Sequence, residues 1–407
     1  MPHCLIKKIS SFFKKPILAL KRNKIFRIAT SSHSFRATLK GQFKYIKEKG
    51  FDYILICTKD DLIDDVAVEE EAKYLPLTLT RKITPLNDLK ALFVLIFYIL
   101  KEKPEIVHTH SPKAGLIGML AAFICRVPKR IHTVAGLPLV EKTGVVKKIL
   151  IMCEKITYLC SSVIFFNSRV QADYVLKEGW VSKSKSKVIG EGSSNGIDLS
   201  YFDPGALDEQ KLAPIKKQYE LSDNDFVICY IGRMASAKGI NELVKSFVDL
   251  EKRYDNLKLI LVGEEEPKEP LEPKIYETIS NDDNIIRIDH QKDIRPYLSL
   301  SDIFILPSYR EGFPQVIMQA CAMKCCIICT DINGCNEMIK HNFNGLLIAP
   351  KSVQEINIAV EKLIDNPDLR SRFKGRARSY IEENFSQQEF WNKLSMFYLN
   401  DLTSNGD

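Results

Sequence analysis

Arg233 and Lys238 are two cations placed where a diphosphate could bind. They lie in the segment YIGRMASAKGI, which follows an apolar strand and opens a helix, and Gly232 lets the chain turn there. The first turn of a helix has backbone N–H groups without partners and carries the positive end of the helix dipole, and both features favour an anion. Two solvated surface cations would give the same pattern. The glycine spacing does not match a P-loop.

Glu311 is the carboxylate of a second strand-to-helix corner, LPSYREGFP. A carboxylate beside amide donors accepts hydrogen bonds from hydroxyl groups, as sugar recognition requires, although it can also simply cap the helix. A cationic corner and an acidic corner in one domain favour a nucleotide-sugar site more strongly than either corner does alone.

A third group of polar residues lies in the first half of the chain. The segment EIVHTHSPKAG places His108 and His110 at the end of a strand, and RIHTVAGLP brings His132 to a neighbouring strand end. We expect His108 and His110 to project to opposite faces, so that only His110 faces a cleft, with Lys113 and Gly115 at the start of the next helix. For each histidine, a satisfied position in the core is the alternative.

Two patterns could indicate a metal, and we interpret both as structural. Asp223-Asn224-Asp225 has the Asp-x-Asp form of metal-dependent sugar transferases, but it precedes a strand instead of following one, so it predicts a turn. The second pattern is a cluster of cysteines whose spacing matches no zinc motif. These cysteines predict packing in a reducing cytosol: Cys321, Cys325, Cys326, Cys329 and Cys335. We therefore expect no metal and no cofactor.

Two series of alternating strands and helices must position these groups. Continuous β-branched runs separated by helical periods predict parallel sheets covered on both faces. The segment GSSNGIDLSYFDPGALDEQK interrupts the alternation, and 407 residues are too many for one core. The sequence thus predicts an α/β fold of two doubly wound, Rossmann-like domains that face a central cleft, with C-terminal helices. The predicted parts are a basic amphipathic arm (1–24), an N-terminal Rossmann-like domain (25–205), a C-terminal Rossmann-like domain with the nucleotide-sugar corners (206–385), and a C-terminal helix and tail (386–407) that can pack back toward the N-terminal domain.

All of the net charge of +7 lies in the arm. Residues 1–24 hold seven lysines or arginines and no acid, interleaved with phenylalanine, leucine and isoleucine. This composition favours an anionic membrane surface, and a frayed basic tail is the alternative. Since the remaining chain has no basic surplus, we expect no nucleic acid partner. The apolar runs ALFVLIFYIL and AGLIGMLAAFIC are too short to span a bilayer, so the expected location is cytoplasmic, peripheral on the inner face of the cell membrane.

Several segments together resemble a known enzyme family. GRMASAKG, LVGEEE, SDIFILPSYREGFPQVIMQACA and TDINGCNEMI are similar to the retaining glycosyltransferases of sequence family four, which have the GT-B fold. EIVHTHSPKAGLIGMLAA, RIHTVAGLP and GSSNGID resemble the bacterial branch that builds capsule, O-antigen or other polyprenyl-linked glycans. The resemblance implies metal-independent transfer of a hexose or N-acetylhexosamine from a UDP-sugar to a polyprenyl-diphosphate-linked glycan.

The resemblance also implies roles for individual residues. Arg233 and Lys238 would hold the donor diphosphate and stabilise the departing nucleotide, Glu311 would bind donor-sugar hydroxyls, and Asn195 and Gly196 would shape the hinge. The donor-binding residues would be Gly232, Gly312, Phe313, Pro314, Val316 and Gln319. The acceptor-side residues would be His110, Lys113, Gly115 and His132.

Two departures from the family pattern leave alternatives open. Gln319 stands where the family usually has a second glutamate, and Ala135 stands where it often has a histidine. A sugar-nucleotide 2-epimerase of the same fold is one alternative, and it would need acid–base carboxylates in the cleft. A degenerate paralogue that binds nucleotide without turnover is the other. Gln319 and Ala135 favour that paralogue. Arg233, Lys238 and Glu311 argue against it.

Overall fold

The computed structural model describes residues 23–80, 84–137, 139 and 142–403, with side chains as far as residue 400. The predicted arm lies outside the described residues, apart from Asn23 and Lys24. The last four residues of the predicted tail, 404–407, also lie outside them.

The described part of the first half forms a seven-stranded parallel sheet with the order β3-β2-β1-β4-β5-β6-β7. Its strands are β1 (Asn23–Ile28), β2 (Phe51–Cys57), β3 (Lys73–Pro76), β4 (Ile106–His110), β5 (Lys129–Val134), β6 (Val163–Phe166) and β7 (Ser186–Val188). Its helices are α1 (Gln42–Glu48), α2 (Ile63–Glu69), α3 (Pro85–Glu102), α4 (Pro112–Ile124), α5 (Gly144–Cys160) and α6 (Arg169–Lys177).

The described part of the second half forms a six-stranded parallel sheet with the order β10-β9-β8-β11-β12-β13. Its strands are β8 (Phe226–Ile231), β9 (Leu257–Val262), β10 (Ile285–Ile288), β11 (Ile303–Leu306), β12 (Cys326–Thr330) and β13 (Leu346–Ile348). The helices of this half and of the C-terminus are α7 (Glu209–Gln218), α8 (Ile240–Glu251), α9 (Pro273–Asn281), α10 (Arg295–Ser299), α11 (Gln315–Ala322), α12 (Cys335–Met338), α13 (Val353–Ile364), α14 (Pro367–Phe385) and α15 (Gln387–Thr403).

The central strands explain why the sheets are covered on both faces. β4 and β11 are buried at every position, so helices must pack on each side. The resulting core of the second half contains Cys321, Cys325, Cys326, Cys329 and Cys335 as buried residues. The parallel strands end at a common edge in each half, and these edges carry the functional side chains described below.

The chain passes between the two halves at two adjacent places. The Ile197 amide donates to the Phe385 carbonyl at 2.8 Å, and the Gln387 amide donates to the Ile197 carbonyl at 3.0 Å. Gly196 has a φ of +67°, and a Cβ there would lie 2.6 Å from the Phe385 carbonyl oxygen. Glycine therefore allows the two passages to touch, at the position that the sequence assigned to a hinge.

Helix α15 packs on the first sheet. Its residues Phe390, Leu394 and Tyr398 belong to the same buried cluster as β1 and β2. Trp391 covers Gly41, where a Cβ would lie 2.7 Å from the indole ring. The segment between β1 and β2 is therefore not one continuous helix: a π-helical turn at Ser34–Thr38 is followed by the left-handed Gly41 and then by α1.

Candidate active site

The loop after β8 positions Lys238. A short 3₁₀ turn, Ser236–Lys238, is followed by Gly239 with a φ of +73°. A Cβ on Gly239 would collide with the carbonyl oxygen of Pro307, so only glycine lets this turn pass the end of β11. The ammonium group of Lys238 thereby reaches the corner between β11 and α11.

Lys238 and Glu311, predicted from two separate segments, form an ion pair. Lys238 Nζ lies 2.6 Å from Glu311 Oε1, and the two side chains are only 18% and 13% exposed. An ion pair shielded from water in this way is stronger than a surface pair because solvent screens it less. The site therefore has a fixed cation beside a fixed carboxylate at the carboxyl end of the sheet.

Arg233 is more loosely held. Its side chain is 58% exposed, and Arg233 Nη1 lies 2.5 Å from Glu266 Oε2. Glu266 follows β9, in the segment LVGEEE. The hydrogen bond from Arg233 holds the pKa of Glu266 below its ordinary value. Gly232 permits close packing beneath this loop, since a Cβ there would lie 2.6 Å from the Tyr230 hydroxyl. Arg233 is thus an exposed guanidinium held by Glu266, and an anionic ligand could reach it from the solvent side.

The start of α11 offers backbone donors. Pro314 precedes the helix, and no side chain caps the first turn. The Ile317 amide donates to the Pro314 carbonyl at 3.1 Å, whereas the amides of Gln315 and Val316 have no partner within the helix. The Phe313 ring is buried against Phe385, with 5.6 Å between ring centroids, and Val316 packs on the same core. The Phe313 side chain therefore serves packing, and only its backbone is left for a ligand. Gln319 lies further along α11 and is half-buried.

The two halves approach each other closely at Gly312. A Cβ on Gly312 would lie 2.7 Å from the carbonyl oxygen of Ala135. Gln171 Nε2 donates to the Gly312 carbonyl at 3.4 Å, also across the cleft. Beside this contact is a cavity of about 360 Å³ that both halves line. Its lining residues are Leu137, Val170, Gln171, Tyr174, Tyr309, Arg310, Glu311, Ile332 and Asn333.

A second cavity, of about 190 Å³, lies in the first half. Its lining residues are Ser34, Thr38, Leu39, His110, Ser111, Pro112, His132, Thr133, Val134, Ala135, Gly136 and Glu154. The segment 135–137 contributes to both cavities, with Ala135 and Gly136 in the smaller one and Leu137 in the larger one. The Glu311 cavity and the cavity that contains His110 and His132 therefore share this segment as part of their walls.

The prediction that His108 and His110 project to opposite faces is wrong. Their rings stack with centroids 4.9 Å apart, because residues two apart on a strand share a face. His110 Nε2 lies 2.5 Å from Arg27 Nη2, and His108 Nδ1 also contacts the Arg27 guanidinium. Burial, and after it the Arg27 cation, lowers the pKa of both imidazoles well below the ordinary value. Both rings are therefore neutral acceptors of guanidinium N–H groups.

The other predicted acceptor-side residues are divided between the cavity and the surrounding packing. His132 lines the cavity, its Nδ1 lies 2.9 Å from Thr109 Oγ1, and burial lowers its pKa to about 3. Gly115 packs against the His132 ring, with which a Cβ would collide. Lys113 donates to both carboxylate oxygens of Asp88, at 2.8 and 2.9 Å. Lys113 thus joins α4 to α3 and is not among the residues that line the cavity.

Two buried charged residues were missed by sequence reasoning. Arg27 is fully buried in β1 and donates to Tyr398 Oη at 2.8 Å and to Gln42 Oε1 at 3.0 Å. An arginine inside an apolar strand, next to a strand with two histidines two residues apart, is the signal that could have indicated it. Glu154 of α5 lines the smaller cavity, and burial raises the pKa of its carboxyl to about 7.

The Asp223-Asn224-Asp225 segment is a turn. Asp223 pairs with Lys216 at 2.9 Å, and Asp225 accepts the Ser222 amide at 2.7 Å. Within the part of the chain that the structure describes, histidine, cysteine and acidic side chains form no group that could hold a metal ion.

Comparisons with known proteins agree with this architecture. Residues 36–192 match the family model described as glycosyl transferase 4-like domain, and residues 213–380 match the model of glycosyl transferases group 1. The capsular polysaccharide biosynthesis glycosyltransferase CapM of Staphylococcus aureus is 32% identical over 379 residues, which cover 93% of this chain and 97% of that protein.

Two further similarities concern a curated enzyme and a solved structure. The Escherichia coli protein named UDP-Gal:alpha-D-GlcNAc-diphosphoundecaprenol alpha-1,3-galactosyltransferase is 28% identical over 362 residues, 88% of this chain and 91% of that protein. The crystal structure of Anabaena HepE in complex with UDP has a TM-score of 0.77 at 16% identity, covering 92% of this chain and 99% of that one. At this identity the structural likeness shows the fold alone.

Two parallel-sheet halves that line a common cavity have the GT-B architecture. The chain belongs to the family of group 1 glycosyltransferases, and both of its halves match models of such enzymes.

Proposed function

We propose that the protein is a retaining glycosyltransferase that moves a hexose or N-acetylhexosamine from a UDP-sugar to a polyprenyl-diphosphate-linked glycan. It would act in the biosynthesis of a surface polysaccharide such as capsule, O-antigen or lipopolysaccharide. The observation that carries this proposal is the shielded Lys238–Glu311 pair at the wall of a cavity that both halves line. The names of the relatives support the pathway, because they specify capsule synthesis and transfer from UDP-Gal to a diphosphoundecaprenol-linked sugar.

Donor binding follows from the charges at the two corners. An ammonium group has three N–H donors, so Lys238 can hold Glu311 and a phosphate oxygen at the same time. Arg233 is exposed and would add a bidentate contact to the diphosphate, assisted by the amides at the start of α11. Glu311 would accept hydrogen bonds from sugar hydroxyls, and Gln319 would contact the ribose. We infer no metal, since the two cations offset the charge that a metal would otherwise balance.

The reaction would proceed through separation of the donor's charge. The bond between sugar C1 and the β-phosphate oxygen breaks, and its electron pair stays on the phosphate. The acceptor hydroxyl oxygen forms the new bond to C1 on the same face, and its proton passes to the departing phosphate. Lys238 and Arg233 stabilise the negative charge that grows on the leaving group, which is the largest catalytic term expected here.

Acceptor binding is assigned to the smaller cavity. The segment 135–137 lines both this cavity and the donor cavity, which supports placing the acceptor sugar there, next to the donor. His110 and His132 are neutral, and each can exchange hydrogen bonds with hydroxyls without adding charge. Ala135 leaves this wall without the histidine that the family often has.

The enzyme is expected in the cytoplasm, peripheral on the inner face of the membrane, with the basic arm 1–24 on anionic lipid and no nucleic acid partner. Among the described helices none is long and apolar enough to cross a bilayer. Deleting residues 2–22 should lower binding to anionic vesicles at low salt, since each cation near such a surface contributes on the order of 1 kcal/mol.

The test is a panel of UDP-sugars incubated with polyprenyl-diphosphate-linked sugar acceptors, with the products identified by mass spectrometry. One donor should add a single sugar to the acceptor and release UDP. The epimerase alternative would convert the UDP-sugar without an acceptor. It is disfavoured because Glu311 is the one acid among the described residues that line the larger cavity, and Lys238 pairs with it.

A further inference from the structure

Helix α3 is apolar on its outer face as well as on its inner face. Ala91, Leu95 and Ile99 are buried against the sheet, as the inner face of a covering helix requires. The opposite face carries Leu86, Leu89, Phe93, Phe97 and Leu100, spaced three or four residues apart along one stripe. Phe93 and Phe97 are 62% and 61% exposed. A soluble surface helix normally has polar residues on that side, so this stripe indicates a partner.

Helix α5 has a matching stripe in the same layer. Val145, Ile149, Met152 and Leu159 are exposed along one side of α5. Helix α4 lies between α3 and α5 and packs against both of them. We call the exposed apolar surface of these two stripes the α3–α5 face. It is longer than a single contact site, because helices of 18 and 17 residues extend for about 25 Å each.

The charges on these helices select the kind of partner. The acids of α3 are both paired with lysines: Asp88 with Lys113 and Glu102 with Lys24, each at 2.8 Å. The acid of α5, Glu154, is buried on the side away from the stripe. The exposed charged groups beside the stripes are therefore cationic: Lys90 and Lys101 on α3, and Lys148 and Lys155 on α5. An apolar strip with a basic border is complementary to an anionic lipid surface.

We propose that the α3–α5 face docks the protein on the surface of an anionic bilayer, in addition to the basic arm. The phenylalanines and leucines would enter the boundary between headgroups and acyl chains, while the lysines contact lipid phosphates. The helices lie in the plane of the surface and do not span it, in agreement with their length and composition.

This orientation would bring the acceptor cavity close to the lipid. Glu154 lines that cavity from one side of α5, and the exposed stripe occupies another side. An α-helix with its side chains is about 10 Å across, so the cavity would be roughly that distance from the headgroups. The Lys24–Glu102 pair places the last residue of the arm at the end of α3, so arm and face can contact the same membrane.

The experiment is vesicle co-sedimentation of the full chain at low and high salt. High salt screens the arm's charges, so the binding that remains reports on the apolar face. The variant Phe93→Gln/Phe97→Gln should lower this remaining binding at least tenfold, because each buried phenylalanine side chain is worth about a factor of ten or more. The matched control is Val68→Gln/Ile358→Gln, which removes exposed apolar residues from α2 and α13. The control should bind like wild type.

A second measurement does not depend on a loss of binding. Brominated lipids should quench the tryptophan fluorescence of Phe97→Trp more than that of wild type. They should not quench the fluorescence of Val68→Trp more than that of wild type. Equal high-salt binding by Phe93→Gln/Phe97→Gln and wild type, or no extra quenching of Phe97→Trp, would overturn the proposal. Lipid-free self-association that the double variant abolishes would assign the face to a second copy instead. Transfer to a short water-soluble acceptor should be unchanged in both double variants, which separates this inference from the proposed function.

Discussion

Lys238 Nζ and Glu311 Oε1 are 2.6 Å apart, although 73 positions separate the two residues in the chain. The pair joins the corner after β8 to the corner after β11, which are neighbouring strands of the second sheet. A cation and a hydroxyl acceptor are thus held side by side at the cleft, as a sugar joined to a diphosphate requires.

Arg233→Ala should lower kcat more than a hundredfold. Loss of one aligned hydrogen-bond donor to a leaving group typically costs roughly 3–4 kcal/mol. In the described structure the Arg233 guanidinium forms an ion pair with Glu266, so its removal should affect the donor more than the fold. The control is Glu266→Gln, which removes the partner and leaves the guanidinium, and which should change kcat little. Comparable rates for Arg233→Ala and Glu266→Gln would show that Arg233 does not reach the donor.

Gln319→Glu should tighten UDP binding several-fold and keep activity. A carboxylate accepts hydrogen bonds from both ribose hydroxyls, whereas the amide offers one carbonyl acceptor, and charge-assisted bonds are roughly twice as strong as neutral ones. Glu311→Gln should nearly abolish transfer, because it removes the carboxylate that pairs with Lys238. Calorimetry with UDP and a transfer assay decide both points, and weaker UDP binding by Gln319→Glu would contradict the assignment of the ribose site.

Gly312→Ala should lower kcat/KM by about a hundredfold with little change in Tm. The new Cβ would lie 2.7 Å from the Ala135 carbonyl oxygen, so the two halves must separate, and a misplacement of about 1 Å can have that effect. Gly375→Ala is the control, since a Cβ there meets nothing within 4 Å. Normal turnover by Gly312→Ala would show that closure of this contact is not needed.

Glu154 should make the stability of the protein depend on pH. Burial raises the pKa of its carboxyl from 4.5 to about 7, so the folded protein binds the proton more tightly than the unfolded chain. The free energy of unfolding therefore falls as pH rises from about 4.5 to 7, by up to about 3 kcal/mol. Glu154→Gln lacks this ionisation. Denaturant unfolding of both proteins at pH 5 and pH 8 should show the variant gaining stability relative to wild type at the higher pH, and a constant difference would contradict this prediction.

The sequence was most informative where a local pattern decides the outcome. Apolar runs predicted the six strands of the second sheet and β1, β2, β4, β5 and β6 of the first, because burial on two faces leaves few alternatives. They did not predict the short edge strands β3 and β7, which are only partly buried. Helical periods over 86–102, 112–125 and 144–160 predicted α3, α4 and α5 to within a residue. The charged corners at Arg233, Lys238 and Glu311 were visible as breaks in those patterns. The sequence did not predict that Lys238 and Glu311 form an ion pair, because that contact depends on β8 and β11 being neighbours in the sheet.

Contacts between distant segments could not be predicted. The Arg27 guanidinium contacts His108, His110, Gln42 and Tyr398, which come from three different elements: β4, α1 and α15. No local spacing indicates that such a network will form. The exposed stripe of α3 has a similar cause: ALFVLIFYIL is apolar on all sides, and only the packed sheet shows which side remains uncovered.

The most direct test of the proposed chemistry is the transfer rate of wild type and Lys238→Ala with the UDP-sugar that the donor panel identifies. The account predicts transfer to a polyprenyl-diphosphate-linked acceptor with an α-configured product by NMR, and a loss in kcat of more than a hundredfold in Lys238→Ala. Transfer by Lys238→Ala at near the wild-type rate, or a β-configured product, would contradict it.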